Sequence, residues 1–439
     1  MINQLTSVMF SGVVLILTIF DTRRLNNLVS PFTVTAWPFV GISLLVNFYL
    51  VNIGFKPVTV RVQLFILMNL FIIWLVGYIF YFTFRQDEIH FSGTNYNYSE
   101  LFSSIARYHP FIILISWLSV GIVLYKAKSL LSAHGGFQYV GDPQFEEDMI
   151  VGPVAHIIHL AKVCFLLLTF SYKGSKHKIL TVITIIGLII AIAAVQVKYH
   201  LIWIVVMAFL YSAIQKPIRK QIGMTILIII TVILLMNLFW IILTFAWGTF
   251  SLGNEGIREF LTKHTFNYIA SSPIVLDKWL SHPNVQPGWT MIVVFKNIAN
   301  VISGNLIRYN SIHLVNLSFS EVGRGITSNT GTALGVYYII GGLCFTLFMT
   351  TLHSIVAFYV YFKNVIRQTK LNTFLNVLML MLSLLIFFVQ YFTLISLYEM
   401  VIIFCGFIGI FHFFDYLREP FSSRHRKWNL DSSDSGVLI

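Results

Sequence analysis

The stretch "VQLFILMNLFIIWLVGYIFYFTF", residues 62–84, contains no Asp, Glu, Lys, Arg or His. An apolar run of this kind matches the ~20 residues a helix needs to cross the ~30 Å hydrocarbon core of a bilayer. Comparable runs fill the rest of the 439 residues: the chain is 57% hydrophobic and 10% charged, against about 25% charged in soluble domains. The fold class is therefore an all-α polytopic membrane protein. An outer-membrane barrel is excluded, because its strands would alternate polar and apolar residues. Eleven transmembrane helices are expected, at 4–20, 32–53, 62–84, 110–125, 153–171, 179–195, 200–215, 222–247, 334–361, 373–395 and 399–416.

Cys164, Cys344 and Cys405 all lie inside apolar segments and imply no disulfide framework. The N-terminus lacks the basic start and small-residue cleavage site of a removable signal. A net charge of +12 in such a chain marks cytoplasmic loops and contact with anionic lipid, not nucleic acid.

Three short links are dense in cations, "KGSKHK" (173–178), "KPIRK" (216–220) and "KNVIRQTK" (363–370), and the tail adds "REPFSSRHRKW" (418–428). All four fall on one side if the spans alternate as read. Cytoplasmic segments carry an excess of Lys and Arg, so that side is expected to be the cytoplasm, with the C-terminus inside and the N-terminus outside. The inside links then hold 17 cations and the outside ones 11, with Lys162 inside a span. The segments 85–109 and 126–152 fit this scheme least well.

The outer side holds one long element, residues 248–333, between spans eight and nine. The chain thus divides into helices one to eight (1–247), a large periplasmic loop (248–333), helices nine to eleven (334–416) and a cytoplasmic tail (417–439). Loops of this length are uncommon without a function. Within it, "IREFLTKHTFNYIASSPIVLDKWL" (257–280) and "TMIVVFKNIANVISGNLI" (290–307) are amphipathic and helix-like, separated by the Pro/Gly turn cluster "SHPNVQPGW" (281–289). Such helices suit the outer membrane surface.

Polar groups at membrane depth are costly and mark functional sites by default. Here they gather toward the outer face. "HIIHLAK" sets His156, His159 and Lys162 within one arc of span five. "QVKYH", between spans six and seven, carries Gln196, Lys198 and His200, and Gln390 and Glu399 bracket the last outer turn. The large loop adds Arg258, Lys263, His264, Lys296, Arg308, His313 and Arg324, with the carboxylates Glu255, Glu259, Asp277 and Glu321. A cation-rich vestibule with a few acids suits a phosphate-bearing ligand, since Arg grips phosphate oxygens bidentately and Lys acts as a point charge. Trp240, Trp247, Trp279, Trp289 and Tyr268 are placed to stack on sugar rings, although tryptophans at helix ends also serve as interface anchors. The His-x-x-His pair has no carboxylate partner in the local sequence, and neither a metal site nor a cofactor is expected.

The loop closes with Asn329-Thr330-Gly331-Thr332, followed by Tyr337-Tyr338 and then Gly341-Gly342. Together with the topology, this resembles the oligosaccharide repeat-unit polymerase family, which includes O-antigen and capsule polymerases. Members tend to end their large periplasmic loop with Asn-Thr-x-Thr before a tyrosine-rich helix start and paired glycines. "NYIASSPIVLDKW" (267–279) is similar to an earlier loop segment of the family. Two departures matter. Ile339 and Ile340 stand where members often place an acid, and Lys198 stands where many have an Arg.

The resemblance implies a metal-independent inner-membrane glycosyltransferase that joins polyprenyl-diphosphate-linked repeat units on the periplasmic face. Its partners would be those lipids, the bilayer, a chain-length regulator and a flippase. Arg324, Arg308 and Lys198, with Arg258 next, are the candidates to stabilise the departing diphosphate. Glu321, Asp277 and His264 are the candidate bases. Asn329, Thr330, Thr332, Tyr337, His156, His159, Tyr268 and Trp289 are candidates for substrate binding. Asn and Thr at "SNTGT" can cap the following helix and present donors to an anion, and Gly335, Gly341 and Gly342 would permit close approach. The alternatives are an O-antigen ligase with the same lipid-linked donor, or a lipid-linked oligosaccharide flippase.

Overall fold

A computed structural model describes residues 1–85, 98–136, 139–140, 142–150, 152–246, 253–282, 295–296, 299, 319–388 and 394–418. The long helices are α1 (Ile2–Leu25), α2 (Pro31–Phe48), α3 (Val60–Arg85), α5 (His109–Ala133), α7 (Pro153–Phe170), α8 (Lys178–Ala194), α9 (Lys198–Ile214), α10 (Ile218–Ala246), α11 (Gly253–Ser281), α12 (Ala333–Ile366), α13 (Lys370–Leu384) and α14 (Ile395–Arg418). Two short helices, α4 (Tyr98–Ser103) and α6 (Pro143–Met149), lie in the links before and after α5. Each expected span overlaps a helix, although the expected 373–395 runs past the end of α13 at Leu384. Among the described residues nine helices are long and apolar enough to cross a membrane. The helices α8 and α9 are apolar but only 17 residues each, about 26 Å at 1.5 Å per residue.

Local chemistry sets the helix starts. Ser30 and Thr33 form a reciprocal capping box ahead of α2, with Pro31 at the first helical position. Thr369 Oγ1 accepts the Asn372 amide at 3.0 Å and starts α13. Pro153 follows Gly152, whose φ of 75° turns the chain into α7. Inside α12, Gly342 adopts φ 67° and ψ −161°, a region open essentially only to glycine. The helix is therefore broken at the paired glycines into 333–340 and 343–366.

The helices pack around two cores. One joins α1, α2, α3, α11 and α12; the other joins α5, α7, α8, α9, α13 and α14. Contacts of α13 with α2 and α12 link them. Lipid is as apolar as leucine, so polar side chains and close packing hold such helices together. Thr350 Oγ1 donates to Asn69 Oδ1 (2.8 Å) between α12 and α3, and His353 pairs with Ser383 (3.0 Å) between α12 and α13. His109 pairs with Ser171 (2.7 Å).

The connections sort to two ends. One end is tied by Leu28 to Gln221 and by Arg107 to Asp415, and it carries the basic links at 173–178, 216–220 and 363–370. The other, the loop end, is tied by Lys56–Glu321 (3.0 Å) and Arg61–Asp277 (2.8 Å). There the expected amphipathic segment 257–280 forms α11, which contacts α2, α3, α10 and α12. The second expected segment, 290–307, falls almost wholly outside the described residues.

The expected loop becomes a sheet where it closes. Strands β1 (Ser320–Gly323) and β2 (Ile326–Ser328) pair antiparallel. The 54–56 segment is stitched alongside: Lys56 N donates to Val322 O (2.8 Å) and Arg324 N to Gly54 O (2.9 Å). Gly323 permits this, since a Cβ there would stand 2.8 Å from the Gly54 oxygen.

Candidate functional site

Three helices, α7, α9 and α14, begin at the loop end and pack on one another there, α7 touching both of the others. Positions 156, 159 and 162 share one face of α7 because residues three apart stack along a helix. Position 162 lies about 9 Å deeper than 156 at 1.5 Å per residue. The partner is Glu399, near the start of α14. Both its oxygens lie 3.1 Å from His156 Nδ1, and Oε2 lies 3.5 Å from His159 Nε2. The carboxylate that the local sequence did not offer the His-x-x-His pair thus arrives from 240 residues away. Among the described residues no three His, Cys, Asp or Glu side chains are placed to hold a metal ion.

Beneath this pair the polar groups are sealed in. Lys162 is fully buried, with Nζ 5.1 Å from the centre of the Trp203 ring and 5.7 Å from that of Tyr199. Both rings face the amine because residues 199 and 203 are one turn apart on α9. A cation over aromatic faces is stabilised by their quadrupoles. Its ammonium has no hydrogen-bond partner among the described residues, and neither does His159 Nδ1 or His200 Nδ1. The rings of His159 and His200 lie 5.7 Å apart. With Nε2 turned to Glu399, His159 Nδ1 is left as an acceptor, while Lys162 Nζ is a donor, so the buried cluster offers both kinds of group where polar atoms are normally satisfied.

The rim is built by α6, α9 and α11. Lys198 opens α9, with Nζ 5.4 Å from the centre of the Tyr268 ring of α11, and Tyr268 in turn packs on Phe388. Glu146 of α6 is the acid whose charge acts on Lys198. Burial pushes the Glu146 carboxyl above its ordinary range, and the Lys198 charge opposes that shift. His264, one turn before Tyr268, is held below the usual histidine value by burial and then by Lys198.

Sequence-predicted residues therefore divide. His156, His159, Lys198, His264 and Tyr268 are brought together with Lys162, His200 and Glu399. Others lie in or beside the core of α1, α2, α3, α11 and α12. Asp277 accepts from Thr59 Oγ1 (2.6 Å) and Arg61 Nη2 (2.8 Å), which anchors α11 to α3. Glu321 pairs with Lys56, and Arg324 is exposed at the hairpin turn, its side chain against Gly54. Tyr337 is fully buried between helices. Arg308 and Trp289, and the side chain of Arg258, fall outside the described residues.

The "SNTGT" element is placed as a helix cap. Thr332 Oγ1 accepts the Gly335 amide at 2.9 Å, and Thr330 Oγ1 bonds Ser271 (2.7 Å) and Ser328 (2.8 Å). Asn329 is exposed. The close approach at Gly331 and Gly335 is made by the Trp279 indole rather than by another backbone. Sequence reading passed over Glu146, Tyr199 and Trp203. The acidic run Glu146-Glu147-Asp148 just before the histidine helix, and aromatic residues four apart beside Lys198, were the available signals.

The chain matches Family of unknown function (DUF6337) over residues 17–417. That covers most of its length, and the chain belongs to this family. No curated protein and no solved structure matches it.

Proposed function

We propose that the chain is a membrane-embedded glycosyltransferase that joins polyprenyl-diphosphate-linked oligosaccharide units, as the oligosaccharide polymerases it resembles do. The observation that carries this reading is the cluster at the loop end: Lys162 and Lys198, His156, His159, His200 and His264, with the acids Glu146 and Glu399 among them. It lies where an apolar bundle meets the amphipathic helix α11. Helices α7, α9 and α14 also direct the positive ends of their dipoles to this end. An anionic group carried on a lipid tail is the ligand such a place suits.

In this reading the basic end lies in the cytoplasm, as the excess of cations in its short links favours. The site then opens on the periplasmic side of a bacterial inner membrane, with the C-terminus inside. The donor's diphosphate rests against Lys198 at the rim, above the sealed Lys162. A hydroxyl of the acceptor sugar attacks the anomeric carbon of the donor glycan. The new C–O bond forms as the bond from that carbon to the diphosphate oxygen breaks, and polyprenyl diphosphate leaves. The charge gathering on the leaving oxygens is met by fixed cations. His156 takes the hydroxyl proton: with Nδ1–H donated to Glu399, its Nε2 lone pair is presented outward, the arrangement by which a carboxylate orients a histidine base.

The test is a deletion strain with its surface glycan resolved by length. A ladder that collapses to a single repeat, restored by the wild-type gene but not by Lys198→Ala, supports the polymerase. Long polymer accumulating on its lipid carrier replaces this reading with the ligase. Loss of all periplasmic glycan replaces it with the flippase.

A further inference from the structure

Tyr108 is the hub of a charged cluster at the basic end, far from the histidines and Glu399. It closes the 3₁₀ turn Ser104–Tyr108 that leads into α5, and it is buried. Its ring stacks on Phe411 of α14, with centroids 4.4 Å apart and planes 5° from parallel. Its hydroxyl donates to Phe411 O (3.0 Å) and to Asp415. Residues 411, 415 and 418 share one face of α14, being spaced by four and three, so the same ring also meets Arg418. The guanidinium carbons of Arg107 and Arg418 lie 5.9 and 5.8 Å from the ring centre, and so within about 12 Å of each other. Lys370, at the start of α13, feels the charges of both Arg107 and Asp415.

The turn, α13 and α14 thus bring three cations to one acid. That acid is already engaged: Asp415 Oδ1 accepts from Tyr108 and from Arg107 Nη1 (2.9 Å). Neither Lys370 nor Arg418 forms a salt bridge among the described residues, and the cluster keeps a net positive charge. Unlike the sealed Lys162, it can be reached: Arg107 and Arg418 are exposed and Lys370 is partly so. Apolar side chains stand beside it. Leu417, next to Arg418, and Phe413, one turn back, are 53% and 58% exposed. Three helix ends meeting at cations, with bare apolar residues within a turn, place the cluster where hydrocarbon gives way to headgroups. An acidic soluble partner would satisfy the charge and leave the apolar residues bare. A phospholipid matches both.

We propose that Arg107, Lys370 and Arg418 form a binding site for an anionic phospholipid of the leaflet at the basic end, its phosphate held between the two arginines and its acyl chains against Phe413 and Leu417. Basic pockets between helix ends hold such headgroups, and guanidinium groups grip phosphate oxygens through charge-assisted hydrogen bonds. The bound lipid would tie the 104–108 turn to α13 and α14. Such a site does not depend on the chemistry at the loop end.

The experiment is native mass spectrometry of the full chain in detergent, titrated with cardiolipin, phosphatidylglycerol and phosphatidylethanolamine. The two anionic lipids should be retained well above phosphatidylethanolamine. Arg418→Gln and Lys370→Gln, neither of which removes a salt bridge, should each weaken anionic-lipid binding about fivefold, with the melting temperature in lipid-free detergent unchanged. Lys220→Gln, an exposed cation of another link at the same end, should leave binding as it was. Equal retention of phosphatidylethanolamine, unchanged binding in both cluster variants, or an equal loss in Lys220→Gln overturns the proposal. Displacement of the lipid by millimolar inorganic phosphate overturns it too, by making the cluster a site for a soluble anion.

Discussion

The indole of Trp279 occupies the space that a side chain at Gly331 would need. Trp279 is buried near the end of α11, and a Cβ at residue 331 would collide with its ring, while one at Gly335 would stand 2.7 Å from it. The two glycines are thus the seat on which α11 rests against the start of α12. Packing of this kind transmits position. The same helix carries Tyr268 and His264, more than two turns away, to Lys198.

Gly331→Ala should destabilise the protein by about 1–3 kcal/mol, the usual cost of overfilling a packed core. Adding Trp279→Leu should recover part of that loss, because it vacates the contested space. Thermal unfolding in detergent of the single and double variants measures both. Additive losses would show that the ring and the glycine are not in contact.

Lys162 and Glu399 form the second test. Glu399 is the acid whose charge acts on Lys162. Glu399 is bonded to His156 and lies 3.5 Å from His159, and it acts on the buried Lys162 only from beyond ion-pair distance, so Glu399→Ala should cost about 1 kcal/mol. Lys162→Met fits the same space without the charge and should fold as well as the wild type, yet lose activity at least a hundredfold. In the Lys162→Met background, Glu399→Ala should cost less stability than it does alone. Equal costs in the two backgrounds would uncouple the residues.

Asp277 was a candidate base on sequence grounds, and its structural partners predict otherwise. With one oxygen engaged by Thr59 and Arg61, it serves as an anchor for α11. Asp277→Asn should lower the melting temperature slightly, since partly exposed pairs are worth about 1 kcal/mol or less. The pH profile of glycan elongation should keep its shape. A lost or displaced limb would restore Asp277 as the base.

Two rim groups give opposite slopes of stability with pH. Glu146 has a folded-state pKa raised above 4.5 by burial, so above that value the native state holds a proton the unfolded chain has released. Stability then falls as pH rises through the window between the two values. His264 has a folded-state pKa below 6.5, so the unfolded chain binds its proton first, and stability falls as pH drops below that value. Glu146→Gln should flatten the first slope and His264→Asn the second, read as melting temperature across pH 4–8.

The helices were legible because a bilayer makes them a local property of the chain. A backbone without water must satisfy its own hydrogen bonds, so apolar length alone decides where a helix runs. Residues 62–84 needed no partner to be read, and neither did the cationic links that distinguish one end from the other. The hairpin at 320–328 was not legible in the same way. Its pairing depends on Gly323 meeting Gly54 and Phe55, a contact that no periodicity records.

Of the site, sequence alone supplied the costly residues, and tertiary structure decided which of them meet. Histidines, lysines and acids near membrane depth announce themselves by their expense. Glu399 finds His156, and Tyr268 of α11 finds Lys198, only because α7, α9 and α14 start at the same end and α11 packs there. The same packing carried Asp277 to Arg61 and Tyr337 into the other core. Charge type is written residue by residue, but proximity between residues 146, 162, 198 and 399 is a product of how the helices pack, and the chain does not encode it at any single position.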